Sequence, residues 1–235
     1  VDKWFRPDVS LKLNILPIEG LSYQHTLAYE NRQWERHYYR SMFTREELRA
    51  GRKGWDEMNF SKTELFNTDG YLSYVNDFGP HTVNGVAGYS YFERNGDGFN
   101  AANGNFTNDR VMFWNLGEGT RLTEGLASMG SSKNITERLM AYFMRANYSY
   151  NDTYMATASV RREGSSKFAV NNRWGNFWSL SGGWRLSNED FLNDVSWIND
   201  LKLRVAYGVT GNEGFSANYA ARMYGSDTRW LMPTG

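Results

Sequence analysis

The chain has 235 residues, and its 26 Lys and Arg balance 26 Asp and Glu, so the formal charge is zero. That balance excludes the basic surface of a nucleic-acid binder and a polybasic membrane anchor. The lack of cysteine excludes disulfide scaffolds, thiolate metal centres and cysteine nucleophiles.

Mean hydropathy is −0.65, yet aromatics reach 16%, and the longest apolar run, Leu139–Met144, falls far short of the ~20 residues of a spanning helix. A polar average with many aromatics fits antiparallel strands that have one greasy and one wet face. Val1 is not a start Met and no signal-like segment follows it, so an internal piece of a longer protein is expected.

Eight segments alternate with period two. The first sets Val9, Leu11, Leu13 and Ile15 against Asp8, Ser10, Lys12 and Asn14. The second sets Leu21, Tyr23, Leu27 and Tyr29 against Ser22, Gln24, Thr26 and Glu30, with His25 an exception on the apolar face. The third, near Asn67–Val75, is the weakest. The fourth sets Val83, Ala87, Tyr89 and Tyr91 against Asn84 and Ser90. The fifth sets Met140, Tyr142, Met144, Ala146 and Tyr148 against Arg145, Asn147 and Ser149. In the sixth, Tyr154, Ala156, Ala158 and Val160 oppose Thr157, Ser159 and Arg161. In the seventh, Trp178, Leu180, Trp184 and Leu186 oppose Ser179, Ser181 and Arg185. In the eighth, Leu201, Leu203, Val205 and Tyr207 oppose Lys202 and Arg204.

The connections alternate in length. Pro17–Gly20, Asn76–Pro80 and Asn151–Thr153 read as tight turns. Asn31 to about Ser61, and Asn95 to about Glu137, read as long loops, and Arg162–Arg173 as a middle one. Ser187–Asn199 breaks the rule: Phe191, Leu192, Val195 and Ile198 stand at helical spacing, which predicts a short amphipathic helix. Short turns at one end and long loops at the other mark an outer-membrane barrel. An all-β fold follows: a transmembrane antiparallel β-barrel, with about eight of its strands here.

Charges sit on the wet parity, since one at mid-membrane on the lipid face costs about 2–4 kcal/mol. Candidate lumen-facing residues are therefore Arg145, Asn147, Ser159, Arg161, Arg185, Lys202 and Arg204. Aromatics gather near strand ends, as interfacial girdles do. The competing fold is a soluble β-sandwich, whose strands also alternate but are shorter.

The stretch from Leu139 carries a resemblance. Leu139–Tyr150 is followed by Tyr154–Phe168, which ends in Arg161-Arg-Glu-Gly-Ser-Ser-Lys-Phe168. Then come Asn172-Arg-Trp-Gly-Asn-Phe-Trp-Ser-Leu-Ser-Gly-Gly-Trp-Arg185 and Asp200-Leu-Lys-Leu-Arg-Val-Ala-Tyr-Gly-Val-Thr-Gly-Asn212. These ordered blocks closely resemble the SusC/RagA family of TonB-linked outer-membrane transporters of Bacteroidetes; Phe66–Tyr91 matches more loosely.

The resemblance implies that residues 1–235 are part of a single TonB-dependent-receptor barrel domain of about 22 strands. The plug and the remaining strands would lie outside this sequence. It implies multi-pass residence in the bacterial outer membrane and import of oligosaccharides or oligopeptides. The implied partners are a SusD-like surface lipoprotein as lid, TonB for the full-length protein, lipid and lipopolysaccharide, and a dimer of the two-protein unit, with no nucleic acid. The alternative is a SusC-like barrel acting as a structural or assembly scaffold in a larger outer-membrane complex.

No catalytic constellation is expected. His25, His37 and His81 share no ligand spacing. Glu46-Glu47, Asp56-Glu57 and Glu189-Asp190 are adjacent pairs, expected to be solvated rather than convergent. Gly96-Asp97-Gly98 is a weak echo of a dinucleotide loop without its helix. No resident cofactor or metal is expected, although the oxygen-rich stretch Asn95–Asp109 makes calcium a candidate there. Candidate ligand or lid contacts are the loop aromatics Trp34, Tyr38, Tyr39, Trp55, Phe99 and Trp114, with Phe113 beside them. Arg32, Arg36 and Arg40 recur every four residues and would make one cationic stripe if that run were helical.

Overall fold

The computed structural model describes residues 1–110, 112–192 and 197–212, which divide into two units. The first joins Val1–Tyr74 with Gly88–Thr136, and the second joins Val75–Ala87 with the chain from Glu137 onward. The Phe113 side chain and Val195 lie outside the described residues.

In the first unit, β1 (Asp2–Phe5) and β2 (Asp8–Asn14) lie end to end along β3 (Leu21–Arg40). Phe5 faces Asn31 and Asp8 faces Ala28, so the register runs unbroken past Arg6-Pro7. Proline has no N–H to give the ladder, but the Tyr29 N–H still donates to the Pro7 carbonyl at 3.0 Å. β3 pairs with β4 (Trp55–Phe78) from Leu21 opposite Tyr74 to Arg40 opposite Trp55. Hydrogen-bonded order continues to β5 (His81–Gly104) and the start of β6 (Ser128–Tyr150).

In the second unit, β6 pairs with β7 (Tyr154–Ser165), β7 with β8 (Trp174–Arg185), and β8 with β9 (Lys202–Gly208), all antiparallel. Asn151 and Asp152 both have positive φ, 48° and 52°, and the Thr153 N–H donates to the Tyr150 carbonyl at 2.9 Å. This is the primed turn that suits the right-handed twist of a hairpin, and Asn and Asp tolerate it best.

The alternating rows do what their parity predicts. Ala158 faces Leu180, and Leu180 faces Tyr207. Val160 faces Trp178, Ala156 faces Gly182, and Trp184 faces Leu203. These apolar rows share one face of the second unit and are not covered: Leu180 is 57% exposed, Val205 66% and Tyr207 70%. Among the described residues, the buried apolar side chains are only Ala101, Ala102, Phe106 and Ala141. A sandwich would bury those Leu, Val and Tyr rows between two sheets, so the soluble alternative fails. A bare apolar face of this extent is what a lipid-facing sheet presents.

His25 also finds its reason. It stands opposite Gly70, with its two ring nitrogens 3.2 Å from the Tyr23 hydroxyl and 3.2 Å from Thr68 Oγ1. A Cβ on Gly70 would lie 2.8 Å from the Tyr89 ring and 3.0 Å from His25 Nδ1, so the missing side chain leaves the polar ring its place.

Three expectations are corrected. Much of the segments read as long loops is strand: β3 continues to Arg40, β4 begins at Trp55, β5 runs to Gly104 and β6 begins at Ser128. These strands have 20 to 24 residues, well beyond the ~9–11 that cross a bilayer. Their outer parts have polar residues on both faces, so hydrophobic alternation vanishes while backbone pairing persists. The Arg32–Arg40 run is therefore extended, not helical. Where the amphipathic helix was expected, Leu186–Asn188 and Asp190–Leu192 form single 3-10 turns instead; Val195 falls outside the described residues.

Candidate functional site

The second unit places all seven lumen candidates on one face. Arg145 stands opposite Ser159, and Ser159 opposite Ser179. Asn147 faces Thr157, Arg161 faces Phe177, Gly183 faces Arg204, and Arg185 faces Lys202. The face is knitted by polar contacts. Thr157 Oγ1 donates to Asn147 Oδ1 at 2.9 Å, the Ser159 and Ser179 hydroxyls are 2.7 Å apart, and Arg145 Nε donates to Asn147 Oδ1 at 3.3 Å. Arg161 pairs with Glu163, and Arg185 with Asp200 at 3.4 Å.

Two hollows open on this unit. One of about 510 Å³ lies at the loop end, between Arg161, Glu163, Phe168, Trp174, Phe177 and the 209–212 segment. The blocks Gly164–Phe168, Asn172–Gly175 and Gly211-Asn212, far apart in sequence, thus meet around one cavity. A Cβ on Gly211 would lie 2.4 Å from the Phe177 ring, which explains glycine at that approach. The other hollow, about 200 Å³, lies nearer the turns, between Arg145, Thr157, Ser181, Gly183, Lys202 and Arg204.

On the opposite face, aromatics flank the apolar rows. Tyr154 and Trp184 stack near the turns, with ring centroids 6.4 Å apart, and both donate to Glu189 Oε1, at 2.6 and 2.8 Å. Toward the loops, Trp178 lies 5.7 Å from Tyr207, and the Arg162 guanidinium sits 5.3 Å over Trp174.

In the first unit, extension of β3 puts Arg32, Trp34, Arg36, Tyr38 and Arg40 on one face, with Trp55 opposite Arg40. A groove of about 350 Å³ lies between Arg32, Trp34, Ser61 and Thr63. Cations and rings interleave: Arg36 and Arg40 stand 5.2 and 5.6 Å from the Tyr38 centroid, and Arg52 and Arg121 stand 5.5 and 5.7 Å from Trp55. Arg32 is neutralised by Asp2, at 2.6 and 3.2 Å. Of the other aromatic candidates, Phe99 lies on β5 and Trp114 is 78% exposed on a 3-10 turn.

Tyr39 is on the opposite face and serves the strand tip. Its hydroxyl donates to Asp109 Oδ1 at 2.5 Å, and its ring lies 6.0 Å from the fully buried Phe106. Asp109 also accepts from the Ser41 hydroxyl and the Met42 N–H. Burial works against its charge, but these bonds outweigh it and hold its carboxyl below the ordinary range, while burial and Asp109 together push the Tyr39 phenol up.

Two acids expected to be solvated are fully buried here. Glu47, on α1 (Arg45–Arg49), accepts two bonds of 2.8 Å from Arg52 and lies 3.2 Å from Arg40. Arg52 holds its carboxyl below the usual range despite burial. Asp56 has no hydrogen-bond partner on either oxygen; burial raises its pKa, and the nearby Glu57 N–H and His37 offset this only in part. No signal in adjacent acidic pairs distinguishes these two from surface acids.

The oxygen-rich stretch Asn95–Asp109 is dispersed by strand geometry. Asn95 bonds Glu93 and Thr136, Asn103 donates to the Leu116 and Gly119 carbonyls, and Asn105 accepts from the Lys53 N–H. Among the described residues, no three His, Asp or Glu gather as metal ligands.

No family model matches the chain. The TonB-dependent receptor P3 of Formosa agariphila is 33% identical over 204 residues, 85% of this chain and 19% of that protein. The TonB-dependent receptor SusC of Bacteroides thetaiotaomicron is 45% identical over 82 residues, 35% of this chain and 8% of that protein. The chain thus spans less than a fifth of the curated relatives it matches. In fold it follows the RagAB peptide importer in its open-open state, with a TM-score of 0.79 at 22% identity over 92% of this chain and 23% of that one. Sequence and fold agree: by sequence the chain matches a section of TonB-dependent receptors, SusC among them, and by fold a section of the RagAB importer.

Proposed function

We propose that the chain forms part of the barrel wall of an outer-membrane TonB-dependent importer that takes up oligosaccharides or oligopeptides under a SusD-like lipoprotein lid. The observation that carries this reading is the two-faced sheet of β6–β9. Its apolar rows are bare and flanked by aromatics, while Arg145, Arg161, Arg185, Lys202 and Arg204 share the other face. In a membrane that asymmetry has one stable solution: the first face meets lipid and the second lines a wet interior. Strand extensions bearing Trp34, Tyr38 and Trp55 beside arginines offer flat apolar rings and donors to incoming cargo or to the lid. The whole residue 1–235 stretch would then belong to one barrel domain.

Deletion of the full-length gene tests the reading. Growth on single glycans or peptides should fail for the cargo and persist for its monomers. Normal uptake with failed assembly of other surface proteins would replace import with a scaffold role.

A further inference from the structure

The smaller hollow of the second unit is uneven in charge. Arg145, Lys202 and Arg204 line it, together with the Thr157 and Ser181 hydroxyls. Gly183 stands opposite both Met155 and Arg204 and presents no side chain to that face. A Cβ there would already sit 3.4 Å from Lys202 Cε. Among the described residues, no carboxylate pairs with Arg145, Lys202 or Arg204; the nearby Asp200 is taken by Arg185. The larger hollow differs, since its Arg161 is matched by Glu163. A recess with three cations, two hydroxyls and a glycine floor is short of one thing, negative charge.

The geometry points to an anion subsite in this recess: it holds a carboxylate or sulfate group of the cargo, so the proposed importer favours acidic oligomers over neutral ones. This rests on the reading of that face as the solute path. Two guanidinium groups and an ammonium surround the anion, the Ser181 hydroxyl donates to one of its remaining lone pairs while that of Thr157 stays on Asn147, and Gly183 lets the group approach the sheet. Such a site is weakened by salt.

The test measures equilibrium binding to the full-length receptor in lipid nanodiscs. The probes are hexagalacturonate against galactohexaose, and a hexaglutamate against a hexaglutamine peptide, so the two arms separate sugar from peptide acids. The acidic member of at least one pair should bind about ten-fold tighter or more at low salt. The double variant Arg145→Gln with Arg204→Gln should bring it down to its neutral partner and leave the neutral probe unchanged. Ser181→Asp, which removes no cation but supplies an internal anion, should do the same.

Equal binding of acidic and neutral probes by the parent protein, or no binding of any probe, overturns the subsite. So does a preference that survives in both variants. Should the double variant lose its folded band on unheated gels, Ser181→Asp alone decides. Failure of the import reading is seen separately, as normal uptake by the deletion strain, and leaves the binding comparison standing.

Discussion

The β6–β9 sheet of the second unit and the outer β3–β4 extension of the first have the same backbone pairing but opposite side-chain logic. In the middle of β7 and β8, from Ala156 to Arg161 and from Trp178 to Ser181, an apolar residue alternates with a polar one, and the apolar set lies bare. In β3 beyond Glu30, polar residues occupy both faces: Asn31, Gln33, Glu35 and His37 on one, and Arg32, Arg36 and Arg40, interleaved with Trp34 and Tyr38, on the other. The strand needs no alternation to form, because its ladder is made of backbone hydrogen bonds. Alternation is imposed where one side of the sheet meets hydrocarbon, and it stops where both sides meet water.

The sharpest way to break that contrast is to exchange the two kinds of position. Leu180 lies between Trp178 and Trp184 on the bare face, so Leu180→Arg should cost about 2–4 kcal/mol of stability. Ser179→Arg, one residue away on the polar face, should cost little, as should Gln33→Arg on the extension. Urea-dependent loss of the folded band of the full-length receptor in lipid would measure all three. Equal losses at Leu180 and Ser179 would show that the sheet is not two-faced.

The same contrast explains what the sequence made legible. Each strand of the second unit could be read with its parity, because Leu180, Val160 and Val205 announce their face by type. The β3 and β4 extensions were invisible to a period-two search, since Arg32–Arg40 alternates between cations and rings on one face and polar groups on the other. Their apparent four-residue repeat suits a helix equally well, and pairing with Trp55–Thr63 decides for the strand. The candidate aromatics were legible as types, but which of them share a face was not. Trp34, Tyr38 and Trp55 share one, whereas Tyr39 turns away to Asp109.

A second test sits at the strand tip, which is held by buried charge rather than by apolar rows. Glu47→Ala leaves Arg40 and Arg52 without their carboxylate and should destabilise the tip by roughly 2 kcal/mol. Hydrogen exchange over residues 41–54 would report it, with the β6–β9 sheet unchanged. Acid should act in the same direction. The Glu47 pKa lies below its ordinary 4.5, so its contribution is complete above that value and is lost as pH falls through the lowered one. Asp56 has the opposite sign: its raised pKa means that stability is lost as pH climbs above 3.8 toward the folded-state value. Asp56→Asn should therefore stabilise the tip at neutral pH by about 1 kcal/mol, and slower exchange there would confirm it.

The smallest expected effect separates packing from hydrogen bonding at that tip. Tyr39→Phe keeps the ring against Phe106 and removes only the donor to Asp109. Asp109 retains the Ser41 hydroxyl and the Met42 N–H, so it is left partly satisfied rather than orphaned. The loss should be about 1 kcal/mol, below the usual worth of a hydrogen bond to a charged group because two other donors remain. Tyr39→Ala should cost more, because it also opens a cavity beside Phe106. If the two substitutions cost the same, the hydroxyl rather than the ring fixes the tip. The extension would then be organised by polar contacts throughout, in full contrast to the apolar rows of β6–β9.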